Sequence, residues 1–251
     1  MPITLRQSIQ KPSVFTSDSP ALAYGFVNLI SVFEEIPASL YDCNISAAGS
    51  NSDTAALAAV YHSIALPTPL LSEYNETQKV DLMVTRQWLQ IRLWNILNDR
   101  LTKSCADVAV VPLDLPATAA RSVMTLMSTV SRKSANAHGI GIEQKLYDIG
   151  EAVCVLAQKL PPNTTGDGGK LYMDAQNALC GLLDRLSDIR GSQSHLLAPL
   201  LQKSHDILGL GSLPPHLSFP SHFIPDVTTK SSCWEIGTDD DDSLQPYTEA
   251  C

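Results

Sequence analysis

The chain has 251 residues, of which 44% are hydrophobic and only 6% aromatic. This composition can bury a sizeable core, which excludes a wholly disordered chain, and the many Leu and Ala favour helices over strands. The formal net charge is −9 and the basic residues are scattered, so this chain lacks the clustered positive surface with which proteins bind a nucleic-acid backbone.

The N-terminus and the cysteines indicate the compartment. The first ten residues, MPITLRQSIQ, contain no apolar run like that of a secretory signal, and no stretch reaches the roughly 18 uninterrupted apolar residues of a membrane span. The six cysteines are dispersed and none forms a CxxC pair, so we expect free thiols. We therefore expect a soluble intracellular protein that does not act at a membrane.

Apolar periodicity predicts a series of helices separated by Pro and Gly. The first begins after a Ser-Pro pair and ends before Pro37, and the third is the longest. The loop VVPLDLPAT after the third helix has room for a short extended piece, whereas PPNTTGDGG after the fifth supports no regular element. The seven predicted helices cover residues 21–35, 53–65, 72–101, 117–131, 142–160, 170–189 and 194–208.

Composition divides the chain into three regions. Residues 1–19 form an N-terminal extension, and the seven helices make one all-α domain over residues 20–210. Residues 211–251 are rich in Pro, Ser, Thr and Asp and carry much of the acidic charge, which predicts a disordered acidic tail.

The sequence motifs of catalytic, phosphate-binding and metal sites are incomplete or absent in this chain. TGDGGKL lacks the first Gly and the final Ser or Thr of a phosphate-binding loop. No two histidines have the spacing of metal ligands on a helix, and no GxSxG nucleophile motif is present. The run DDDD at residues 239–242 is typical of a solvated charge run in a tail. We predict no catalytic residue, no metal ligand and no cofactor in this chain, and hence not an enzyme.

The stretch DLMVTRQWLQIRLWNIL, residues 81–97, lies in the third helix. Its apolar side chains fall around the whole circumference of a helical wheel. A helix that is apolar all round is surrounded by other helices, so we expect the buried central helix of the domain here. Trp88 and Trp94 point about 120° apart on that wheel, which predicts two separate core anchors and not one stacking platform.

Three polar residues of the same helix are the candidate site. Arg86 and Arg92 stand among apolar neighbours, where a guanidinium must pair with a carboxylate, cap a neighbouring helix or meet a ligand. With Gln90, they form a possible effector site or a structural polar site, and we favour the structural role.

Residues 78–96, QKVDLMVTRQWLQIRLWNI, resemble a segment of the regulatory domain of fungal binuclear zinc cluster transcription factors. The pattern in that family has the form D-x-x-V-T-[RQ]-x-W-[LM]-[RQ]-x-x-x-W. The stretch GIGIEQKLYDIGEAVCVLA is similar to the C-terminal part of that domain, so the resemblance covers about residues 70–160. The matching residues are Asp81, Val84, Thr85, Arg86, Trp88, Leu89, Gln90 and Trp94.

The resemblance implies an all-α, fungal-specific regulatory domain in a nuclear protein, with the cytoplasm as the alternative location. Its partners would be transcriptional coactivators or repressors, and possibly a small-molecule effector. The six-cysteine zinc cluster of the family is absent from this sequence, so we expect zinc only if such a cluster precedes this chain. The chain is then a fragment, a truncated gene model or a relative that lost its DNA-binding module.

The acidic tail intersperses apolar side chains with carboxylates, as activation segments that fold onto coactivators do. A solubilising end is the alternative interpretation. The possible activation segment comprises Trp234, Ile236, Asp239, Asp240, Asp241, Asp242, Leu244 and Tyr247.

Two further hypotheses come from other functional classes. A helical enzyme would have an apolar cavity near the central helix, with a pocket reaching Arg86 or Arg92. A non-catalytic interaction scaffold would bind protein partners through the tail.

Overall fold

The structure is a computed structural model. It describes residues 19–34, 51–65, 74–103, 112–160, 166–189 and 194–208, together with Lys11, Ser13, Val14 and Ile36. Within residues 51–56 and 99–103 it describes the backbone but not the side chains.

The described residues form eight helices and no strand, which confirms the predicted all-α fold. Seven of the helices correspond to the seven predicted ones. The helices are α1 (Pro20–Glu34), α2 (Asn51–Ala65), α3 (Glu76–Lys103), α4 (Leu115–Thr129), α5 (Arg132–Asn136), α6 (Ile140–Lys159), α7 (Asp167–Asp188) and α8 (Leu197–Leu208).

The structure corrects the predicted starts of several helices, including α8, which begins at Leu197 and not at residue 194. Helix α4 begins at Leu115 with Pro116 in its first turn, so the end of VVPLDLPAT is helical and the described part of that loop contains no extended piece. Helix α7 begins at Asp167 and includes Gly168 and Gly169. Gly166 makes the turn before it at a φ of 89°, a conformation that favours glycine, and the Asp167 carboxylate lies where a helix N-terminus stabilises negative charge.

Side-chain capping explains where α3 and α5 begin. The Asn75 side chain accepts a hydrogen bond from the Gln78 N–H (2.8 Å), and the Gln78 side chain accepts one from the Asn75 N–H (3.3 Å). This reciprocal pair is a capping box. The Ser131 side chain accepts from the Ser134 N–H and so caps the five-residue α5. Helix α5 was not predicted, because it is shorter than two helical turns and shows no apolar period.

Four helices pack against one another and form the centre of the domain: α3, α4, α6 and α7. Helices α1 and α2 pack against α3, and α8 packs against α6 and α7. Helix α3 therefore contacts α1, α2, α4, α5 and α6. Between residues 77 and 98 of α3, Arg92 is the one side chain that is exposed, in agreement with the predicted central helix.

By its internal contacts the chain divides into two units, Met1–Leu217 and Ser218–Cys251. All eight described helices belong to the first unit. The predicted domain boundary at residues 210–211, the predicted tail and the possible activation segment, from Trp234 to Tyr247, lie outside the described residues.

Candidate functional site

The polar residues at the start of the matched pattern connect α3 to α6. Thr85 is fully buried, and its hydroxyl lies 2.6 Å from the Lys145 Nζ and 3.3 Å from an Asp81 carboxylate oxygen. Lys145 also donates to that same Asp81 oxygen at 3.2 Å. The threonine hydroxyl thus accepts from the ammonium and donates to the carboxylate, so a buried hydrogen-bonding group has both partners that it needs.

Trp88 forms a second connection, about one helical turn beyond Thr85 on α3. Its indole N–H donates to Asp148 of α6 at 2.7 Å. The other oxygen of that carboxylate accepts from the Gln144 side chain at 2.8 Å. Trp88 is only partly buried, so it lies at the edge of the core, with its polar N–H paired in the way expected for a tryptophan in that position.

Trp94 forms a third connection and is buried, with 3% of its surface exposed. The Lys159 ammonium lies 5.7 Å from the centre of the Trp94 ring, within cation–π distance. Lys159 also donates to the Asn98 side chain at 2.6 Å. The connections at Lys145, Asp148 and Lys159 follow the same order along both helices, so α3 and α6 run parallel.

The two arginines have different surroundings. Arg86 donates from Nε (3.1 Å) and from a terminal nitrogen (2.5 Å) to the carbonyl oxygen of Ile64. Ile64 is one residue from the end of α2, where carbonyls lack partners within their own helix, so Arg86 caps that helix. Arg92 is exposed and Gln90 is buried. The three candidate residues therefore do not converge on one site.

A buried carboxylate that the sequence analysis missed lies in the first turn of α6. Glu143 is fully buried and accepts a hydrogen bond from the Ser194 hydroxyl at 3.2 Å. The His195 Nδ1 lies 3.5 Å from the same oxygen. These contacts attach the chain segment before α8 to the start of α6, and the helix N-terminus adds a favourable field for the negative charge.

One cleft lies away from α3, between the ends of α4 and α7 and helix α5. It holds about 370 Å³ of empty space, part of which is open to solvent. Arg132, Arg185 and Asp188 are among its polar lining residues, and Arg132 donates to Asp188 at 2.7 Å. Neither Arg86 nor Arg92 reaches it.

Among the residues that the structure describes, no group of three or more His, Cys, Asp or Glu is placed to hold a metal ion. Within the same part of the chain, no helix has the length and apolar character to cross a membrane.

Comparisons of this chain with protein-family models, with curated proteins and with solved structures gave no match.

Proposed function

We propose that this chain is the regulatory domain of a fungal transcription factor, which acts in the nucleus and controls transcription through a protein partner or an effector. The observation that supports the proposal is the pattern from Asp81 to Trp94, in which all eight specified positions are filled. The chain itself has a net charge of −9, which disfavours contact with the phosphate backbone. Under this proposal, another module or another protein therefore binds the DNA.

The residues of the pattern from Asp81 to Trp94 make contacts between helices. Thr85 and Trp88 contact α6, and Arg86 contacts α2. These three side chains connect the central helix to two neighbouring helices. A pattern of this kind helps to fix how helices are arranged around α3, and packed side chains and hydrogen bonds between helices are one way in which a domain couples distant sites.

The second candidate is an interaction scaffold without a role in transcription. Its support is the exposed apolar surface of α1, where Leu22 and Phe26 are each more than half exposed. Exposed apolar side chains that lie together are typical of protein-binding surfaces.

The test is a reporter assay in fungal cells with the full chain fused to a heterologous DNA-binding domain that is inactive alone. We expect reporter output to change at least several-fold, in either direction, and the tagged natural gene product to enter the nucleus. Reporter output equal to that of the DNA-binding domain alone, together with an exclusively cytosolic gene product, would contradict the transcription proposal. The interaction scaffold would then be the remaining candidate.

A matched pair of tail variants locates the activity. In the first variant Trp234, Ile236, Leu244 and Tyr247 are changed to Ala and the acids are retained. In the second the four aspartates from Asp239 to Asp242 are changed to Asn and the apolar residues are retained. If the segment binds a coactivator through its apolar side chains, the first variant loses most of the reporter activation and the second loses less. Equal activation by the wild-type chain and both variants would show that the tail is only a solubilising end.

A further inference from the structure

The cleft between the ends of α4 and α7 and helix α5 has a partly apolar wall, and we call it the α4–α7 cleft. Met127, Ala135 and Ile189 line it and are buried, each with 9% or less of its surface exposed. The empty space of about 370 Å³ is near the lower limit for small-molecule sites, which are mostly apolar pockets of about 300–1,000 Å³ with a few polar groups. The size and the wall of the cleft fit a small ligand.

Arg185 of α7 is the unusual residue of this cleft. The structure describes five arginine side chains. Arg86, Arg121 and Arg132 are bonded to a carbonyl or a carboxylate, and Arg92 is exposed. Arg185 is partly buried and forms no hydrogen bond or ion pair with any residue that the structure describes. A guanidinium has five N–H donors, and its removal from water is unfavourable unless another acceptor replaces the water. Arg185 therefore has donors available for a ligand.

Capping of its own helix does not account for Arg185. In the last turn of α7 the Asp184 carbonyl accepts from the Ser187 hydroxyl at 2.7 Å, and the Arg185 carbonyl accepts from the backbone N–H that follows the helix. The guanidinium takes part in neither bond. Asp188 lines the cleft and is already bonded to Arg132. The positive charge of Arg185 is thus not balanced by that carboxylate.

The charges around the cleft favour a ligand with a single negative charge. The pair of Arg132 and Asp188 is neutral as a unit, so Arg185 leaves one positive charge in excess. Helices α4 and α7 both end at the cleft, and a helix C-terminus carries about half a negative charge, which opposes a dianion such as phosphate. A planar guanidinium binds a carboxylate through two parallel hydrogen bonds. A carboxylate joined to a small apolar group matches both Arg185 and the apolar wall.

We propose that the α4–α7 cleft binds a small monocarboxylic acid, whose carboxylate pairs with Arg185 and whose apolar group packs against Met127 and Ile189. The volume of the cleft limits that group to a short branched chain or a single ring. This inference does not depend on the proposed function, because it concerns binding alone.

The Met127 methyl group reports on binding in the full chain, because Met127 is the one methionine among the described lining residues. The probes are 3-methylbutanoate, cyclohexanecarboxylate and phenylacetate at neutral pH, where carboxylic acids are ionised. In a chain with labelled methionine methyls, we expect at least one acid to shift the Met127 resonance saturably, with a dissociation constant of about 0.1–5 mM, since ligands of few atoms gain little binding energy. The resonance of Met173, which is exposed on α7, should not move. If none of the three acids shifts the Met127 resonance, the proposal is wrong.

The amide of each acid separates recognition of the charge from apolar contact. It has nearly the same shape and no charge, so we expect it to bind the wild-type chain at least about tenfold more weakly than the acid. Inorganic phosphate should leave the Met127 resonance in place over the same concentration range. Equal affinity for an acid and its amide, or phosphate binding as strong as that of the acids, contradicts the proposal.

Variants of Arg185 test the residue itself. Arg185→Gln should bind the acids at least about tenfold more weakly, and Arg185→Lys should retain part of the affinity, because it keeps the charge and loses the paired donors. Arg92→Gln is the matched control, since Arg92 is exposed on α3 and does not line the cleft, and it should bind like the wild type. An Arg185→Gln chain that is folded by circular dichroism and binds with wild-type affinity overturns the proposal. If that variant is unfolded, the comparison of acid and amide on the wild-type chain decides.

Discussion

The Cys154 thiol shows how strongly the core affects a single ionisable group. Cys154 lies on α6 with only 3% of its surface exposed, and burial raises the pKa of its thiol to about 12. A thiolate is the reactive form of cysteine, so this residue is unreactive in the folded protein at neutral pH. Its position within an apolar helical run is typical of a packing residue.

We expect this thiol to make stability depend on alkaline pH. Above about pH 9 the unfolded chain loses the thiol proton while the folded chain keeps it, so the folded state binds more protons and stability falls as the pH rises towards the folded pKa. We expect the free energy of unfolding of the wild type, measured with urea relative to that of Cys154→Ala, to be about 1–2 kcal/mol lower at pH 10 than at pH 8. A difference between the two proteins that stays constant with pH would contradict the raised pKa.

Glu143 shows which residues of a site cannot be predicted from a local pattern. From the sequence it is an acid in the first turn of a helix, a position where exposed carboxylates are common. In the structure it is buried, and its carboxylate contacts Ser194 and His195, about fifty residues away in the chain. Arg86 is the opposite case, since its apolar neighbours already indicated a structural partner, and helix capping was one of the expected roles.

Close packing between α6 and α8 depends on a glycine. A Cβ at Gly150 would lie 2.7 and 3.0 Å from the two methyl carbons of Leu200, which is itself fully buried. We expect Gly150→Ala to lower the free energy of unfolding by about 1–3 kcal/mol through overpacking.

Gly141 in the same helix is the control, because nothing lies within 4 Å of a Cβ built there. Gly141→Ala should be neutral or stabilising by up to about 1 kcal/mol, as a helical alanine replaces a glycine. Urea denaturation followed by circular dichroism measures both. Equal effects at the two positions would show that α8 does not approach α6 at Gly150.

Helix α2 is attached to α3 partly through the Arg86 contact with Ile64. Arg86→Met keeps much of the side-chain length and removes both hydrogen bonds to the Ile64 carbonyl, which should cost about 1–2 kcal/mol. Arg92→Met, at the exposed arginine of the same helix, should stay within about 0.5 kcal/mol of the wild type.

Hydrogen exchange distinguishes a local effect from a global one. In Arg86→Met the amides near the end of α2 should lose more protection than those of α6. Uniform loss of protection across the molecule would mean that Arg86 does not act through α2.

Long helices could be predicted, and short or atypical ones could not. The apolar circumference of α3 correctly indicated a helix enclosed by others, because that pattern is incompatible with a solvent-facing side. Helix α5 escaped prediction because five residues show no period, and its start depends on the Ser131 cap. The exposure of Phe26 and Phe33 was also unforeseen, since apolar composition alone says nothing about which face finds a neighbour.

The net charge of the molecule makes a prediction about DNA. With −9 overall and no basic cluster in the sequence, the chain should bind duplex DNA more weakly than a dissociation constant of about 10⁻⁴ M at physiological salt. A gel-shift assay measures this. The chain with Asp239 to Asp242 changed to Asn is the control, because its binding would reveal a basic surface that the acids mask. Salt-sensitive binding by the wild-type chain at micromolar concentration would contradict the prediction.

The parallel arrangement of α3 and α6 has a consequence for how the protein is made. The contacts from Thr85 to Lys145 and from Trp88 to Asp148 both join residues 60 positions apart. A ribosome that adds about 5–20 residues per second needs about 3–12 s to make the chain between them. During that interval the central helix has left the ribosome without its partner, and its apolar surface is available to chaperones and to other nascent chains. The order of synthesis thus leaves the apolar surface of α3 without its α6 partner until α6 has been made.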